Sequence, residues 1–121
     1  MKITIQLNPV TKKNSQQIIK IKNRYMIIPS KQYKQYEKDV KQFMPDIETI
    51  NYPVNVKCLY YMKTKRRIDL NNLLEATTDI LVKYKVLEDD NSKIVASHDG
   101  SRVYHDKYNP RTEIEISRIE E

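Results

Sequence analysis

Residues 53–90 read PVNVKCLYYMKTKRRIDLNNLLEATTDILVKYKVLEDD, and the change of pattern inside this stretch decides the fold. Pro53 opens a run from Val54 to Met62 that is dense in Val, Leu and Tyr. Such residues fit a pleated, half-buried surface, so a strand is expected there. The strand delivers a cationic loop, Lys63 to Arg67. From Leu70 the period changes: Leu70, Leu73, Leu74, Ile80, Leu81 and Tyr84 recur at helical spacing and define an amphipathic helix ending near Lys85. Asp69 stands where an N-cap is needed, because a side-chain oxygen there accepts from the unpaired amides of the first turn. The acidic run Glu88-Asp89-Asp90 follows the helix.

Working outward, Met1 to Leu7 alternates Ile3, Ile5 and Leu7 with polar residues, the period of a half-buried strand, and Pro9 stops it. Gln16 to Ile21 and Arg24 to Ile28 flank Lys22-Asn23 as a small hairpin would. Ser30 is placed to cap a helix from Lys31 toward Phe43, with Tyr33, Tyr36, Val40 and Phe43 or Met44 on one face and Pro45 as its stop. Ile94 to Ser97 and Arg102 to His105 read as two strands around a turn at Asp99-Gly100, where Gly100, the chain's sole glycine, is expected to take a positive φ. Thr112 to Ile119, with Ile114 and Ile116 alternating against acids, is the last expected strand. Repeats and linkers are absent, and 121 residues suit one domain spanning 1–121.

Composition narrows the function. Charged residues make up 31% of the chain and apolar ones 39%, which leaves a modest core under a strongly ionic surface. Lys and Arg number 22 against 16 Asp and Glu, a net charge of +6 that suits a phosphate backbone as partner. The positive charge gathers at Lys12, Lys13, Lys20, Lys22 and Arg24, and again at Lys63, Lys65, Arg66 and Arg67. A lone cysteine, Cys58, excludes an internal disulfide, and its apolar surroundings make it a buried structural thiol. With no apolar stretch fit for a signal peptide or membrane span, a cytoplasmic protein with no membrane contact is expected. His98 and His105 lack the Cys or third His of a zinc set, and the abundant tyrosines divide between core packing and base stacking.

The acidic residues carry the chemistry. Phosphodiester hydrolysis needs an activated water, alignment with the leaving oxygen and compensation of growing negative charge, all of which a divalent metal supplies. Hard cations take oxygen ligands, so carboxylates beside a cationic surface are the pattern to look for. On the expected helix Asn71, Glu75 and Asp79 follow at i, i+4 and i+8 and so form one oxygen-bearing stripe, with Asp69 at its entrance. Two carboxylates about 4 Å apart repel by roughly 4 kcal/mol at an effective dielectric of 20, so Asp69 and Asp90 share a site comfortably only with a cation. Spacing alone equally allows Asp69 to be a helix cap and Glu88 to Asp90 to be an exposed loop.

Arg67-Ile68-Asp69-Leu70-Asn71-Asn72-Leu73-Leu74, then Asp79-Ile80-Leu81, then Val86-Leu87-Glu88-Asp89-Asp90 resembles the signature of the RusA-type Holliday-junction resolvases. The match centres on Arg66 to Ile94, with weaker support from the N-terminal strand, Asn14 and the basic hairpin. The resemblance implies an α+β fold, a small mixed or largely antiparallel sheet covered by two helices. It also implies a Mg²⁺-dependent endonuclease, with Mn²⁺ as substitute, that resolves four-way DNA junctions as a homodimer in recombination and repair. The family's first metal-binding Asp falls on Asp69 and the second Asp of its later pair on Asp90. Its intervening Asp falls on Asn71, its helix lysine on Glu75, and its glycine before the Val on Lys85. The implied metal set is Asp69, Asn71, Glu75 and Asp90, with Glu75 replacing the charge that Asn71 lacks. Lys12, Lys13, Asn14, Lys63, Lys65, Arg66 and Arg67 would face DNA. A less selective flap or branch nuclease and a noncatalytic branched-DNA-binding module are the rival readings.

The charge distribution generates one expectation of its own. If about four phosphates are neutralised, affinity for branched DNA should fall about a hundredfold between roughly 50 and 200 mM salt, because bound counterions are released. Charge reversal at Arg66 or Arg67 should weaken binding more than a comparable change at Glu120. Titration of labelled DNA across a salt series measures both, and a flat series would refute the electrostatic account.

Overall fold

The computed structural model describes residues 1–12 and 16–120. Their order is β1 (Lys2–Ile5), β2 (Gln16–Ile21), β3 (Arg24–Pro29), α1 (Lys31–Asp39), a 3₁₀ turn (Val40–Phe43), β4 (Val54–Met62), α2 (Leu70–Lys83), β5 (Val95–Ser97), β6 (Arg102–His105) and β7 (Arg111–Arg118). The fold is α+β, as expected. Among the described residues one mixed sheet of five strands runs β1-β7-β4, with β5 and β6 both on the far edge of β4, while β2 and β3 form a separate hairpin. β7 is antiparallel to both of its neighbours, β1 and β4. The first helix is shorter than its apolar pattern: it ends at Asp39 and the chain tightens into the 3₁₀ turn before Pro45.

β4 is the spine of the core. Its burial alternates strictly, with Val54, Val56, Cys58, Tyr60 and Met62 buried on one face. That face meets α2, whose Leu73, Ala76, Thr77, Ile80 and Leu81 are buried. The contact has a polar pin. Thr77 Oγ1 donates to the Leu73 carbonyl (2.9 Å), so the fully buried Tyr60 hydroxyl donates to Thr77 Oγ1 (2.7 Å). A buried hydroxyl left unpaired would cost about 1–3 kcal/mol, and this chain of two bonds avoids it. Cys58 sits on the same buried face, and burial pushes its thiol up to about 11, which suits an inert core residue. α1 joins α2 through the Lys83–Glu37 ion pair and the Tyr84 hydroxyl, which donates to the Glu37 carbonyl at 2.5 Å.

The expected hairpin at Asp99-Gly100 is not formed. β5 and β6 do not pair with each other; both run parallel to β4, at Val54/Asn55 and at Leu59 to Met62. Gly100 does have the positive φ expected of it, 86°, but it serves an outward jog between two collinear strands. An added Cβ there would press on the Lys57 side chain at 3.2 Å. Across the jog, side chains replace the missing ladder bonds. Asn55 Oδ1 accepts from Asp99 N (2.7 Å) and Ser97 Oγ (2.5 Å), Ser101 Oγ accepts from Cys58 N (3.0 Å), and His98 Nδ1 bonds the Val56 carbonyl (2.8 Å). His98 is thereby a strand-edge residue. Its partner is a carbonyl, so Nδ1 carries the proton.

α2 ends in a Schellman motif, in which Val86 N donates to Leu81 O (2.9 Å) and Lys85 N to Val82 O (3.1 Å). The motif requires a left-handed residue after the C-cap, and Lys85 occupies it with φ 61°. This is the position where the resemblance calls for glycine. The turn aims Val86 and Leu87 into the core, where Ile50 N donates to Val86 O and Glu88 N to Ile50 O (both 3.0 Å). It thereby returns Glu88 to Asp90 to the surface.

A side chain in the left-handed region is strained. Lys85→Gly should therefore stabilise the fold by about 0.5–1 kcal/mol, net of the greater entropy glycine loses on folding. Lys85→Ala should leave stability near wild type. A urea-unfolding midpoint that rises for glycine alone, with unchanged slope, is the expected result.

Candidate active site

The cationic loop is set by the end of β4. Asp106 N donates to the Met62 carbonyl (2.8 Å), which closes the sheet at that level, and Lys63 N donates to Asn8 Oδ1 (2.9 Å), which ties the loop to the N-terminal segment. Between the two segments lies a cleft of about 370 Å³, walled by Asn8 to Thr11 on one side and Met62, Thr64, Arg66, Arg67 and Ile68 on the other. Lys63, Lys65, Arg66 and Arg67 are all exposed. Among the described residues none of the four forms an ion pair. Their charge is therefore directed at solvent or at a polyanion.

The loop runs straight into the cap of α2. Asp69 has extended backbone (φ −91°, ψ 119°), and its Oδ1 accepts from Asn71 N at 3.2 Å. One carboxylate oxygen is thus engaged with the helix start, which leaves Oδ2 for another partner. A shallow hollow lined by Arg67, Ile68, Asp69, Leu70 and Asn72 opens there. The amides of the first helical turn add partial positive charge that favours an anion.

Further along α2, Asn71 and Glu75 are exposed and Asp79 is half-buried. Asp79 holds Lys12 in an ion pair of 2.9 Å, and the same ammonium lies 5.7 Å from the centre of the Tyr33 ring. Lys12, expected to face DNA, is thus bound to the protein's own acid stripe. Lys13 and Asn14, expected beside it, lie outside the described residues. Tyr33 is buried on α1, and its hydroxyl is raised by that burial and by the charges of Glu37, Asp79 and Glu75, so it stays a neutral phenol.

Asp89 and Asp90 divide the acidic run. Asp89 Oδ1 accepts from Asp90 N (2.7 Å) and Oδ2 from Asn91 Nδ2 (3.1 Å), and the backbone bond foremost lowers its pKa. Asp90 is raised, first by a shared hydrogen bond with Asp89 and further by the charges of Asp89 and Asp79. The Asp79 contribution brings the end of α2 into electrostatic contact with the loop that follows it. Sequence spacing put Asp79 in the oxygen-bearing stripe of α2; its ion pair with Lys12 and its influence on Asp90 are tertiary features.

Among the described residues no three His, Cys, Asp or Glu side chains are grouped to hold a metal ion. The donors near the start and end of α2 are all hard oxygens, from Asp69, Asp79, Asp90, the Asn71 amide and Glu75. In kind they fit Mg²⁺ and not a soft metal. The hydrogen bond shared with Asp89 raises Asp90 first and the neighbouring carboxylate charges add to it; a cation beside Asp90 would act in the opposite direction.

The chain matches the family model of the endodeoxyribonuclease RusA over residues 6–117. It therefore belongs to the RusA endodeoxyribonuclease family. The match runs through β2–β3, the cationic loop, α2 and all the later strands. No curated protein matches the chain.

The cap and any further role of Asp69 can be separated. Asn caps helices as well as Asp does, so Asp69→Asn should shift unfolding by only a few tenths of a kcal/mol, whereas Asp69→Ala should cost about 1 kcal/mol. Thermal unfolding of the two variants checks this. Equal losses would show that the carboxylate charge, not the cap bond, stabilises the helix start.

Proposed function

We propose that this protein is a Mg²⁺-dependent endonuclease acting on branched DNA, four-way junctions above all. The observation that carries the reading is the direct succession, inside a RusA-family chain, of an unpaired cationic loop and a carboxylate cap: Lys63 to Arg67, then Asp69. Arg66 and Arg67 bind the phosphate backbone and hold the scissile phosphate at the start of α2, where the helix amides add positive potential. Asp69 and Asp90, with Asn71 and Glu75 on the adjoining helix face, hold the metal. When bound, Mg²⁺ (or Mn²⁺) lowers the pKa of a water and offsets charge on the phosphoryl oxygens. Asp89 fixes the Asp90 loop through the bonds described above. The attacking water gives a proton to solvent as its oxygen bonds to phosphorus, the bond from phosphorus to the leaving sugar oxygen breaks, and that oxygen takes a proton from solvent. Paired cutting of a four-way junction calls for two such sites related by a two-fold axis, hence a homodimer.

Binding without cutting is the second reading. It is favoured by Asn71 and Glu75, which stand where the resemblance expects an acid and a lysine, and by the absence of a ready-made three-acid cluster among the described residues.

The deciding experiment offers a synthetic four-way junction and a matched linear duplex with Mg²⁺, Mn²⁺ or chelator, and follows binding and cleavage together. Junction-selective, metal-dependent cutting is expected. Asp69→Asn and Asp90→Asn should each reduce it at least about a hundredfold, a loss of some 2.7 kcal/mol in transition-state stabilisation. Binding should survive, since each change removes a charge that repels DNA. Equal cutting of duplex would mark a general nuclease, tight binding with no cutting across the metals the noncatalytic module, and full activity in both variants would reject the site.

A further inference from the structure

The β2–β3 hairpin presents an apolar face that no other element among the described residues covers. Its register sets Ile18 opposite Ile27 and Lys20 opposite Tyr25, and these two pairs share one face because directly opposed residues of an antiparallel ladder point the same way. Ile18 is 73% exposed, Ile27 65% and Tyr25 73%. The Lys20 ammonium lies 5.7 Å from the centre of the Tyr25 ring. At the tip, Lys22 takes a positive φ of 56° and Arg24 follows it. An isolated two-stranded ribbon is marginal in water, and a contiguous exposed apolar face on it marks a contact surface.

Charge decides the occupant. Every charged side chain on the hairpin is a cation, Lys20, Lys22 or Arg24, and from Met1 to Tyr36 the chain contains no Asp or Glu. A second copy stacked on this face would bring a second Lys20 onto it and add Lys22 and Arg24 of its tip to the same positive surface, with no acid on either hairpin to offset them. A nucleic acid would neutralise them. Within nucleic acid, Ile18 and Ile27 offer no hydrogen-bond donor or acceptor to a base edge, so their apolar partners are base faces. Those faces are buried in continuous duplex and available where stacking is broken.

We propose that this face docks on unstacked bases at the branch point, with Tyr25 stacked on a base, Ile18 and Ile27 packed beside it, and Lys20, Lys22 and Arg24 on the flanking phosphates. The inference rests on the branched-DNA reading and adds to it the element that recognises the branch. The cationic loop at Asp69 holds the backbone, and the hairpin distinguishes a junction from a rod.

The test uses the full chain without divalent metal, a four-way junction carrying 2-aminopurine at the branch point, and a linear duplex carrying the same base internally. Wild type should bind the junction more tightly and change the fluorescence at the branch point only. Tyr25→Ala should abolish that change and weaken junction binding about ten- to a hundredfold, the loss of one stacked base, while duplex affinity moves less than about twofold. Tyr25→Phe should retain the signal, and Ile18→Ser with Ile27→Ser should behave as Tyr25→Ala does. Unchanged junction binding in Tyr25→Ala, or equal weakening on junction and duplex, overturns the hairpin's role while wild-type junction preference keeps the branched-DNA reading intact. Loss of a dimer in sedimentation by the same variants assigns the face to a second copy and overturns the proposal. Wild type that binds both substrates alike removes the branched-DNA reading and this inference with it.

Discussion

The packing of one face of β4 against α2 is the constraint on which the rest depends. Five alternate residues of β4, from Val54 to Met62, are buried there, and the Tyr60 hydroxyl fixes the register of strand against helix through Thr77. Because β4 and α2 are consecutive, fixing both leaves the chain between them, Lys63 to Asp69, little choice but to cross the end of the sheet in the open. The cations of that loop are thus exposed by a packing decision made elsewhere. Asp69 then closes the loop by capping the helix, so one carboxylate both ends the crossing and stands at the mouth of the candidate site.

The two ends of α2 are handled by different means. At its start a side chain supplies the cap; at its end the backbone does so, through the Schellman bonds and the strained conformation of Lys85. The strain is repaid by burying Val86 and Leu87, which are almost wholly inaccessible. Their burial determines where Glu88 to Asp90 emerge, and brings Asp90 under the influence of Asp79. A helix whose ends are both tightly defined holds Asp69 and the Glu88 to Asp90 segment in fixed places relative to each other.

Charge is segregated along the chain, and folding partly undoes the segregation. Lys12 belongs by sequence to the N-terminal cationic group, yet it spans 67 positions to meet Asp79. Surface pairs of this kind contribute little stability, about 0–1 kcal/mol. Its consequence is local: one acid of the stripe is neutralised, while Lys63 to Arg67 make no such pair among the described residues.

The sequence by itself determined what depends on neighbours in the chain. A run dense in Val, Leu and Tyr marked β4, apolar spacing and Asp69 marked α2, Lys22-Asn23 marked the β2–β3 turn, and Gly100 marked a left-handed bend, since residue type, period, cap chemistry and backbone freedom are local properties. Partner choice was decided only by tertiary structure. Strands as short as β5 and β6 carry no record of whom they pair with, so a bend that looked like a hairpin turn became a jog along the edge of β4, sealed by Asn55, Ser101 and His98. Lys85 by its own residue type did not mark a left-handed backbone, although the resemblance sets a glycine at its position; the turn that buries Val86 and Leu87 imposes it. The Lys12–Asp79 pair and the influence of Asp79 on Asp90 likewise arise from distances between charges that no spacing along the chain encodes.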